Sequence, residues 1–367
     1  MKRVLIVAPY PFGKAPSQRF RFEQFLDAFE AAGIRTEFVA FWAERHWPAI
    51  YSRGGLFFKI GATLSGFLRR FFLLFRTGRF DAVLIHREAT PVGPPWWEYA
   101  VAKIWGKPII YDFDDAVWLP NNSAANEKIA GRFKAHGKTA RIIGMSRTVT
   151  AGNDFLAEYA RNFCSDVCVI PTTVDTEKRH NRIKIHEDKS EPIIGWTGSH
   201  STIRQLIPLF DLLEKLRAEL PFRFLLISDE APPNMPDFAH FRKWSKASEI
   251  DDLAEIDIGV MPLFDSDWER GKCGFKAVQY SALGIPSVVS DVGVNRKIVR
   301  DGETGFLCEP LPLQSAERWK KALTRLLRDR HLRADTGAAA RKYAEANYSV
   351  RAVRGAYTAA LKGALEG

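Results

Sequence analysis

The chain has 367 residues, of which 46% are hydrophobic and 26% are charged, an ordinary balance for a soluble globular protein that excludes disordered and fibrous chains. This length exceeds what one hydrophobic core usually supports, so we expect two domains. Lys and Arg outnumber Asp and Glu by 53 to 43, and the net charge of +10 favours anionic partners such as nucleic acid, nucleotide phosphates or a membrane surface.

Neither the N-terminus nor the cysteines indicate export. The first residues, Met1–Gly13, hold only a short apolar run, which predicts a buried strand rather than a signal peptide. The four cysteines are scattered and lack nearby histidines that would complete a zinc site, so we expect reduced thiols. No stretch reaches about 18 uninterrupted apolar residues, the length of a spanning helix. The sequence therefore predicts a cytoplasmic protein.

Short runs rich in Val and Ile alternate with amphipathic stretches, which is typical of parallel strands connected by helices. The predicted strands of the first half are Val4–Ala8, Thr36–Ala40, Ala82–His86, Pro108–Tyr111, Ile142–Met145, Thr148–Ala151 and Val167–Ile170. Those of the second half are Ile193–Trp196, Arg223–Ile227, Ile258–Met261, Ser287–Ser290 and Gly305–Cys308. The polar stretch Pro171–Glu191 predicts an interdomain linker with a cleft beside it. The tail from Gln314 is predicted to be helical, with a break near Asn347–Ser349.

We therefore predict an α/β protein of two Rossmann-like, doubly wound parallel-sheet domains that face a central cleft. Residues 1–172 would form the first domain and residues 173–347 the second. The last helix, about residues 348–367, is expected to pack back on the first domain.

The loop after the first strand, Pro9–Arg21, faces the ligand crevice in such a sheet. It contains one glycine, Gly13, and so lacks the three-glycine fingerprint of NAD-binding proteins. Arg19 and Arg21 are candidates to contact a phosphate or an acidic acceptor, although a helix N-cap at Ser17 explains the same pattern.

Polar residues end two predicted central strands, where ligands collect in open α/β sheets. His86 ends one of them, and because charged residues follow it, we expect it not to be a buried core residue. The next strand ends in Asp112, Asp114 and Asp115. Such closely spaced carboxylates can raise one another's pKa, bind a metal or orient sugar hydroxyls.

Two turns in the second half suit a phosphate. In Ile193–Leu216 a strand is followed by a Gly/Ser/Thr turn and a helix, an arrangement whose amides approach anions, with Arg204 one turn into the helix. In Arg270–Gln279, Lys272 and Lys276 lie four residues apart, on one face of a helix that starts there. An ordinary capped turn and a solvated basic turn are the alternatives.

The stretch Gly54–Arg76 mixes Phe and Leu with basic residues at helical spacing. This pattern is typical of a helix lying on an anionic membrane surface. A crossover helix buried on two sides is the alternative interpretation.

With these residues in place, the chain resembles glycosyltransferase family 4, the glycosyl transferases group 1, which are retaining enzymes of the GT-B fold. Gly198 is followed six residues later by Arg204, where the family has a phosphate-binding lysine, and Ser199 replaces an arginine. Aligning on the turn Ala282–Pro286 places Gly271 and Gln279 at the positions of the family's two glutamates.

Three further segments extend the resemblance over nearly the whole chain. Val169–Asp175 looks like the family's hinge and Asp301–Glu309 like its DGxxGxL segment. Phe80–Pro91 looks like the strand that ends in the family's active-site histidine, which assigns His86 by position. Asp114 stands where many members have a second histidine.

The resemblance implies front-face attack by an acceptor hydroxyl while the donor's diphosphate leaves, without cofactor or metal. The catalytic candidates are His86, Arg204 and Lys272. The donor-binding candidates are Gly13, Thr197, Gly198, Ser199, Cys273, Gly274, Phe275, Lys276 and Gln279. The candidates to bind the acceptor or orient the sugar are Arg19, Arg21, Asp112, Asp114 and Asp115.

The expected function is transfer of a hexose from a UDP- or GDP-sugar to a saccharide or lipid-linked acceptor in cell-envelope polysaccharide biosynthesis, peripherally at the inner membrane face. A nucleotide-sugar epimerase of the same fold is the alternative. A basic nucleic-acid-binding protein is less well supported, because the sequence has no zinc finger, RRM signature or recognition-helix pattern.

Overall fold

The structure is a computed structural model that describes residues 1–47, 55–119, 137–232, 234–313 and 315–366. The chain divides into two compact units. Unit 1 consists of Met1–Thr172 with Val353–Gly367, and unit 2 of Thr173–Ala352. Gly54, Gln314 and Gly367, which bound predicted segments, lie outside the described residues.

Unit 1 contains a parallel sheet of six strands in the order β2-β1-β3-β4-β5-β6. The strands are β1 Lys2–Ala8, β2 Ile34–Ala40, β3 Ala82–His86, β4 Ile109–Phe113, β5 Thr148–Ala151 and β6 Val167–Val169. The helices are α1 Pro16–Arg19, α2 Leu26–Ala31, α3 Leu56–Thr77, α4 Trp96–Tyr99, α5 Lys138–Met145 and α6 Asp154–Arg161, with single tighter turns at Glu23–Phe25 and Glu44–His46 and a π-helical turn at Ala100–Ile104. The central strands β3 and β4 are buried at every position, as expected for a sheet covered by helices on both faces.

Unit 2 contains a second parallel sheet of six strands in the order β12-β11-β10-β7-β8-β9. The strands are β7 Ile193–Thr197, β8 Arg223–Ser228, β9 Ala239–Lys243, β10 Ile258–Met261, β11 Ser287–Ser290 and β12 Gly305–Cys308. The helices are α7 Phe210–Glu219, α8 Glu249–Glu255, α9 Asp267–Arg270, α10 Phe275–Ala282, α11 Asn295–Ile298, α12 Glu317–Arg328, α13 Arg330–Asn347 and α14 Val350–Glu366. Most of α14 belongs to unit 1, where the Tyr357 ring lies 5.1 Å from that of Phe25.

The predicted fold class is confirmed, since each unit is a doubly wound parallel sheet. Two details differ. Ile142–Met145 is the end of helix α5 rather than a strand, because a short apolar run has the same composition in either element. Strand β9 was not predicted, since the edge strand AHFRK shows no apolar run.

The polar stretch Pro171–Glu191 folds against unit 2 along much of its length. Its Val174 is fully buried and forms a bridge to Ser349, and its His180 is also fully buried. The Arg341 guanidinium of α13 donates to the carbonyl groups of Thr176 and His180. These contacts fix a segment that its sequence suggested to be a linker.

Helix α3 is buried on one face only. Ala62, Gly66, Arg70, Leu73 and Thr77 are its buried residues, and their spacing of four or three places them in a single stripe. The opposite face exposes apolar side chains, namely Leu56, Phe57, Leu64, Leu68, Phe71, Phe72 and Phe75. The alternative of a helix buried on two sides is therefore wrong. Within the described residues no helix is long and apolar enough to cross a membrane.

Arg70 turns inward from α3 and cannot contact a membrane. Its guanidinium donates to the carbonyl groups of Ala8, Val39 and Ala89 at 3.0, 3.1 and 2.8 Å. These acceptors satisfy the buried donors that an arginine brings into a core. Burial lowers the pKa of Arg70 to about 9, so it stays charged at neutral pH.

Gly66 allows α3 to approach the core closely. A Cβ at this position would lie 2.6 Å from the buried ring of Phe41. We expect Gly66→Ala to lower the free energy of unfolding by about 1–3 kcal/mol through overpacking, measured by urea denaturation. Gly61→Ala is the control on the same helix, because nothing lies within 4 Å of the place that its new methyl group would occupy. That substitution should raise stability by about 0.5–1 kcal/mol, and equal effects at the two sites would contradict the packing argument.

Candidate functional site

In unit 1 a buried polar cluster occupies the carboxyl ends of β3 and β4. His86 and Asp112 are register partners on the neighbouring strands, so their side chains meet, with 2.7 Å between Nδ1 and Oδ2. Arg21 lies 2.5 Å from the other carboxylate oxygen, and the Thr150 hydroxyl donates to that oxygen at 2.6 Å. All four side chains are essentially inaccessible to solvent.

The charge of Asp112 is stabilised inside the protein. Burial alone would raise the pKa of its carboxyl, but the charge of Arg21 and the hydrogen bond from His86 outweigh burial and hold that pKa well below its usual range. The ion pair and the hydrogen bonds occupy the buried carboxylate of Asp112, so this group presents no accessible surface to a substrate. We therefore interpret the cluster as structural.

The expectation that His86 is not a core residue is therefore wrong. The imidazole has no exposed surface, so it reaches a sugar only if its neighbours move. Asp112 and Arg21 are equally enclosed, and their role as acceptor contacts stays a prediction. Nε2 of His86 is buried and has no hydrogen-bond partner among the described residues. The sequence could not show this enclosure, because it follows from strand register and from the distant Arg21.

The loop after β1 is also engaged within unit 1. The amide of Gly13 donates to both carboxylate oxygens of Glu23, at 3.0 and 2.9 Å, and its donor-binding role stays a prediction. Arg19 is almost fully buried, with its guanidinium 4.8 Å from the ring of Phe20. Helix α1 starts at Pro16, so Ser17 is not its N-cap.

Arg87 holds the two remaining carboxylates, and sequence reasoning missed its role. Its guanidinium contacts Asp114 at 2.7 Å and also pairs with Asp115. Its φ is +60°, a left-handed conformation that costs about 1–3 kcal/mol in a non-glycine residue and that clusters at functional sites. Burial disfavours the Arg87 charge, but the two carboxylates raise its pKa well above the usual value. Among the residues that the structure describes, no group of three potential ligands could hold a metal ion.

The turn after β7 uses its backbone amides internally. Each amide from Thr197 to His200 donates to an acceptor in unit 2. The pairs are Thr197 to the Tyr280 hydroxyl (3.1 Å), Gly198 to the Ile227 carbonyl (3.0 Å), Ser199 to the Thr202 hydroxyl (3.1 Å) and His200 to the Asp229 carboxylate (2.7 Å). The amides of Thr197, Gly198 and Ser199 are therefore engaged within unit 2, and the donor-binding role of these three residues stays a prediction.

Arg204 and Lys272 come together at one carboxylate. β7 and β10 are neighbours in the sheet, so the segments that follow them meet at the same edge. The Arg204 guanidinium lies 3.8 Å and the Lys272 ammonium 3.6 Å from the same oxygen, Oε1 of Glu269. Arg204 belongs to a tight turn, Ile203–Gln205, and not to the first turn of an α-helix as predicted. Glu269 was missed, because it lies two residues before Gly271, the position that aligns with the family's first glutamate.

Helix α10 begins next to these cations. Gly274 precedes it with a φ of +63°, and a Cβ there would lie 2.2 Å from Ile298, so only glycine fits. The first amides of a helix have no intrahelical acceptor and favour anions, and Cys273 and Phe275 flank this start.

Two polar side chains of α10 complete the candidate donor site. The Lys276 ammonium lies 5.3 Å from the ring centre of Trp196, and burial with the nearby charge of Lys272 lowers its pKa to about 7. Gln279 is buried, and its Nε2 has no hydrogen-bond partner among the described residues. The site therefore combines three basic side chains, Arg204, Lys272 and Lys276, with the side-chain amide of Gln279. This combination suits an anionic ligand that carries hydroxyl groups.

One known protein family matches part of unit 2. The family described as glycosyl transferases group 1 matches residues 236–343, which include α10 and Glu269. Comparison with curated protein sequences finds no match.

Solved structures share the architecture of the whole chain. The sucrose-phosphate synthase of Thermosynechococcus elongatus has a TM-score of 0.73 at 14% identity, with 99% of each chain covered. A glycosyltransferase from Rickettsia africae has a TM-score of 0.71 at 14% identity, covering 100% of this chain and 99% of its own. HepE of Anabaena, in complex with UDP and glucose, has a TM-score of 0.64 at 14% identity, with 99% and 100% covered. The predicted GT-B fold is confirmed.

Removing the Asp112 charge should destabilise unit 1. Asp112→Asn leaves Arg21 buried without its carboxylate, and we expect a loss of about 3–5 kcal/mol in urea denaturation. Since the folded-state pKa of Asp112 is lowered, its contribution is present above the unfolded value of about 3.9 and is lost as the pH falls further. The deficit of the variant should therefore be constant from pH 7 to about 5. Glu37→Gln, which breaks the exposed pair with Arg76, is the control and should change stability by less than about 1 kcal/mol.

Proposed function

We propose that this chain, whose residues 236–343 match the glycosyl transferases group 1 family, is a retaining, metal-independent glycosyltransferase whose unit 2 holds a nucleoside-diphosphate sugar. The observation that carries the proposal is the convergence of Arg204 and Lys272 at the start of α10, on the carboxyl edge of the second sheet. Two cations beside a helix N-terminus match the charge of a diphosphate.

The two cations would act on the leaving group. As the bond between the anomeric carbon and the diphosphate oxygen breaks, negative charge grows on that oxygen, where Arg204 and Lys272 stabilise it. The acceptor's hydroxyl oxygen forms the new bond on the same face of the sugar, and its proton passes to the departing phosphate. Attack from the leaving group's side retains the configuration, and the remaining requirement is to hold both substrates in line.

Gln279 would bind the donor's ribose. The family's second glutamate occupies this position, and an amide can replace it as a hydrogen-bond partner of a hydroxyl. The buried Nε2 of Gln279 lacks a partner among the described residues, and a ribose hydroxyl would supply one. Backbone groups of Lys272–Phe275 would contact the sugar in place of the family's first glutamate.

Asp114 and Asp115 would orient the acceptor or the sugar. They are more exposed than Asp112, with 11% and 29% of their side-chain surface accessible, and Arg87 fixes their position. His86 would contribute only through Asp112, since it is enclosed. Because cations at the diphosphate replace a metal, neither carboxylate is assigned to one.

UDP-hexoses and GDP-hexoses are the donors to test first, because HepE, which shares the fold, is described with UDP and glucose. The acceptor would be a saccharide, free or lipid-linked, of the cell envelope. The exposed apolar face of α3 supports a membrane location for this acceptor. No acidic residue occurs in α3, whereas Lys59, Arg69 and Arg76 do, so an anionic bilayer is the expected surface.

Replacing either cation should impair transfer. We expect Arg204→Ala and Lys272→Ala each to lower kcat by roughly 10²-fold, in the range for removing one charge-stabilising donor. The assay follows nucleoside diphosphate release from a panel of nucleotide sugars with saccharide acceptors, in the presence of a chelator. Lys320→Ala, which breaks an exposed pair with Glu219, is the matched control and should leave turnover unchanged.

Three outcomes would contradict the proposal. Unchanged turnover in both cation variants would remove them from the mechanism. Loss of activity in the chelator would require a metal. Conversion of the donor without any acceptor would identify an epimerase instead.

Membrane binding should depend on the apolar face of α3. Phe57 and Phe75 are 89% and 65% exposed and lie on the same stripe. We expect Phe57→Ser combined with Phe75→Ser to lower affinity for phosphatidylglycerol-containing vesicles at least about tenfold, measured by co-sedimentation. Ile104→Ser removes an equally exposed apolar side chain elsewhere in unit 1 and should have no effect. If the double variant binds the vesicles as tightly as Ile104→Ser does, α3 is excluded as the membrane-binding surface.

A further inference from the structure

Glu269 is a buried carboxylate whose neighbours come from several segments of unit 2. Only 3% of its side chain is exposed. Gln205 Nε2 donates to Oε1 at 3.0 Å, and the Ser266 hydroxyl donates to Oε2. The cations Arg204 and Lys272 approach the same Oε1. The carboxylate thus has both neutral and cationic partners.

The neutral partners are the ones that fix the carboxylate. Charge-assisted hydrogen bonds between nitrogen and a carboxylate are usually about 2.7–2.9 Å long. The 3.8 and 3.6 Å separations of Arg204 and Lys272 lie within ion-pair range but beyond that length. The hydrogen bonds that Glu269 receives from Gln205 and Ser266 therefore do not depend on where Arg204 and Lys272 lie.

The charges of this cluster favour a competition between Glu269 and a bound diphosphate for the two cations. Arg204, Lys272 and Glu269 together carry a net charge of +1, whereas a diphosphate carries at least two negative charges. Glu269 attracts the same cations and repels the ligand at close range, in a partly buried setting where screening by salt is weak. Without Glu269, the net charge would be +2 and the two cations would repel each other.

We propose that Glu269 is a positioning residue that keeps Arg204 and Lys272 together and competes with the diphosphate for them. This inference rests on the proposed function of unit 2. The carboxylate preassembles the cation pair before the donor binds. After transfer, it draws the same cations back and weakens the hold on the released nucleoside diphosphate. A residue outside the family's two glutamate positions thereby sets how long the product stays.

The test is to remove the charge and keep the shape. In E269Q the amide oxygen can still accept from Ser266, and the amide nitrogen can donate to Gln205 Oε1, which has no partner among the described residues. We expect E269Q to bind inorganic pyrophosphate and UDP about tenfold more tightly than wild type by calorimetry. Uridine, which lacks phosphate, should bind with unchanged affinity. A merely structural role would weaken all three ligands together.

Two further variants accompany the measurement of pyrophosphate binding to E269Q. E249Q neutralises another buried, ion-paired carboxylate of unit 2, and it should leave pyrophosphate affinity unchanged. E269D withdraws the charge by one methylene, and it should tighten pyrophosphate binding by about threefold. E269D also decides the question if E269Q does not fold.

The inference is overturned if pyrophosphate binds to the folded Glu269 variants with equal or lower affinity than to wild type, or if it binds to none of them. The proposed function fails separately, if wild type binds pyrophosphate but transfers no sugar from any nucleotide donor. In that case the ratio of pyrophosphate affinities still tests the role of Glu269.

Discussion

The common direction of the strands is the constraint on which both units depend. When every strand of a sheet runs the same way, all the carboxyl ends meet at one edge, and the segments that follow neighbouring strands are brought side by side. In unit 1 this places His86 against Asp112, and in unit 2 it brings Arg204 and Lys272 to the same edge of the sheet. Residues separated by 68 positions in sequence thus share one carboxylate, Glu269.

The two edges use their charges in opposite ways. The cluster around Asp112 is closed, because Arg21, His86 and Thr150 occupy the carboxylate from several sides and no surface remains. The cluster around Glu269 is more open, with Arg204 44% exposed and both cations more than 3.5 Å from the nearest oxygen of Glu269 that they pair with. A buried, fully paired charge cannot lose its partner without a large cost, whereas a partly exposed charge remains able to bind a ligand.

The sequence predicted the fold well, because strands buried on both faces carry unmistakable apolar runs such as Val4–Ala8 and Ala82–His86. It failed where that signal is absent or ambiguous. Strand β9 is polar, and Ile142–Met145 has a strand-like composition at the end of a helix.

Less of the candidate site could be predicted. Spacing located Arg204 and Lys272, but it could not show that the amides of Thr197 to Ser199 are used internally or that Arg21 would enclose His86. Both facts depend on residues far away in sequence, namely Tyr280 and Asp112. Charged residues beside a strand end, such as Arg87, were a signal that could have been followed.

The half-buried Lys276 links ligand binding to protons. Because the pKa of Lys276 is about 7, its side-chain amine is only partly protonated in the free protein at neutral pH. A phosphate bound beside it would favour the charged form and raise that pKa. Nucleotide binding would then take up a fraction of a proton from the solution. The heat of binding would vary with the ionisation enthalpy of the buffer, and acidification would strengthen the complex.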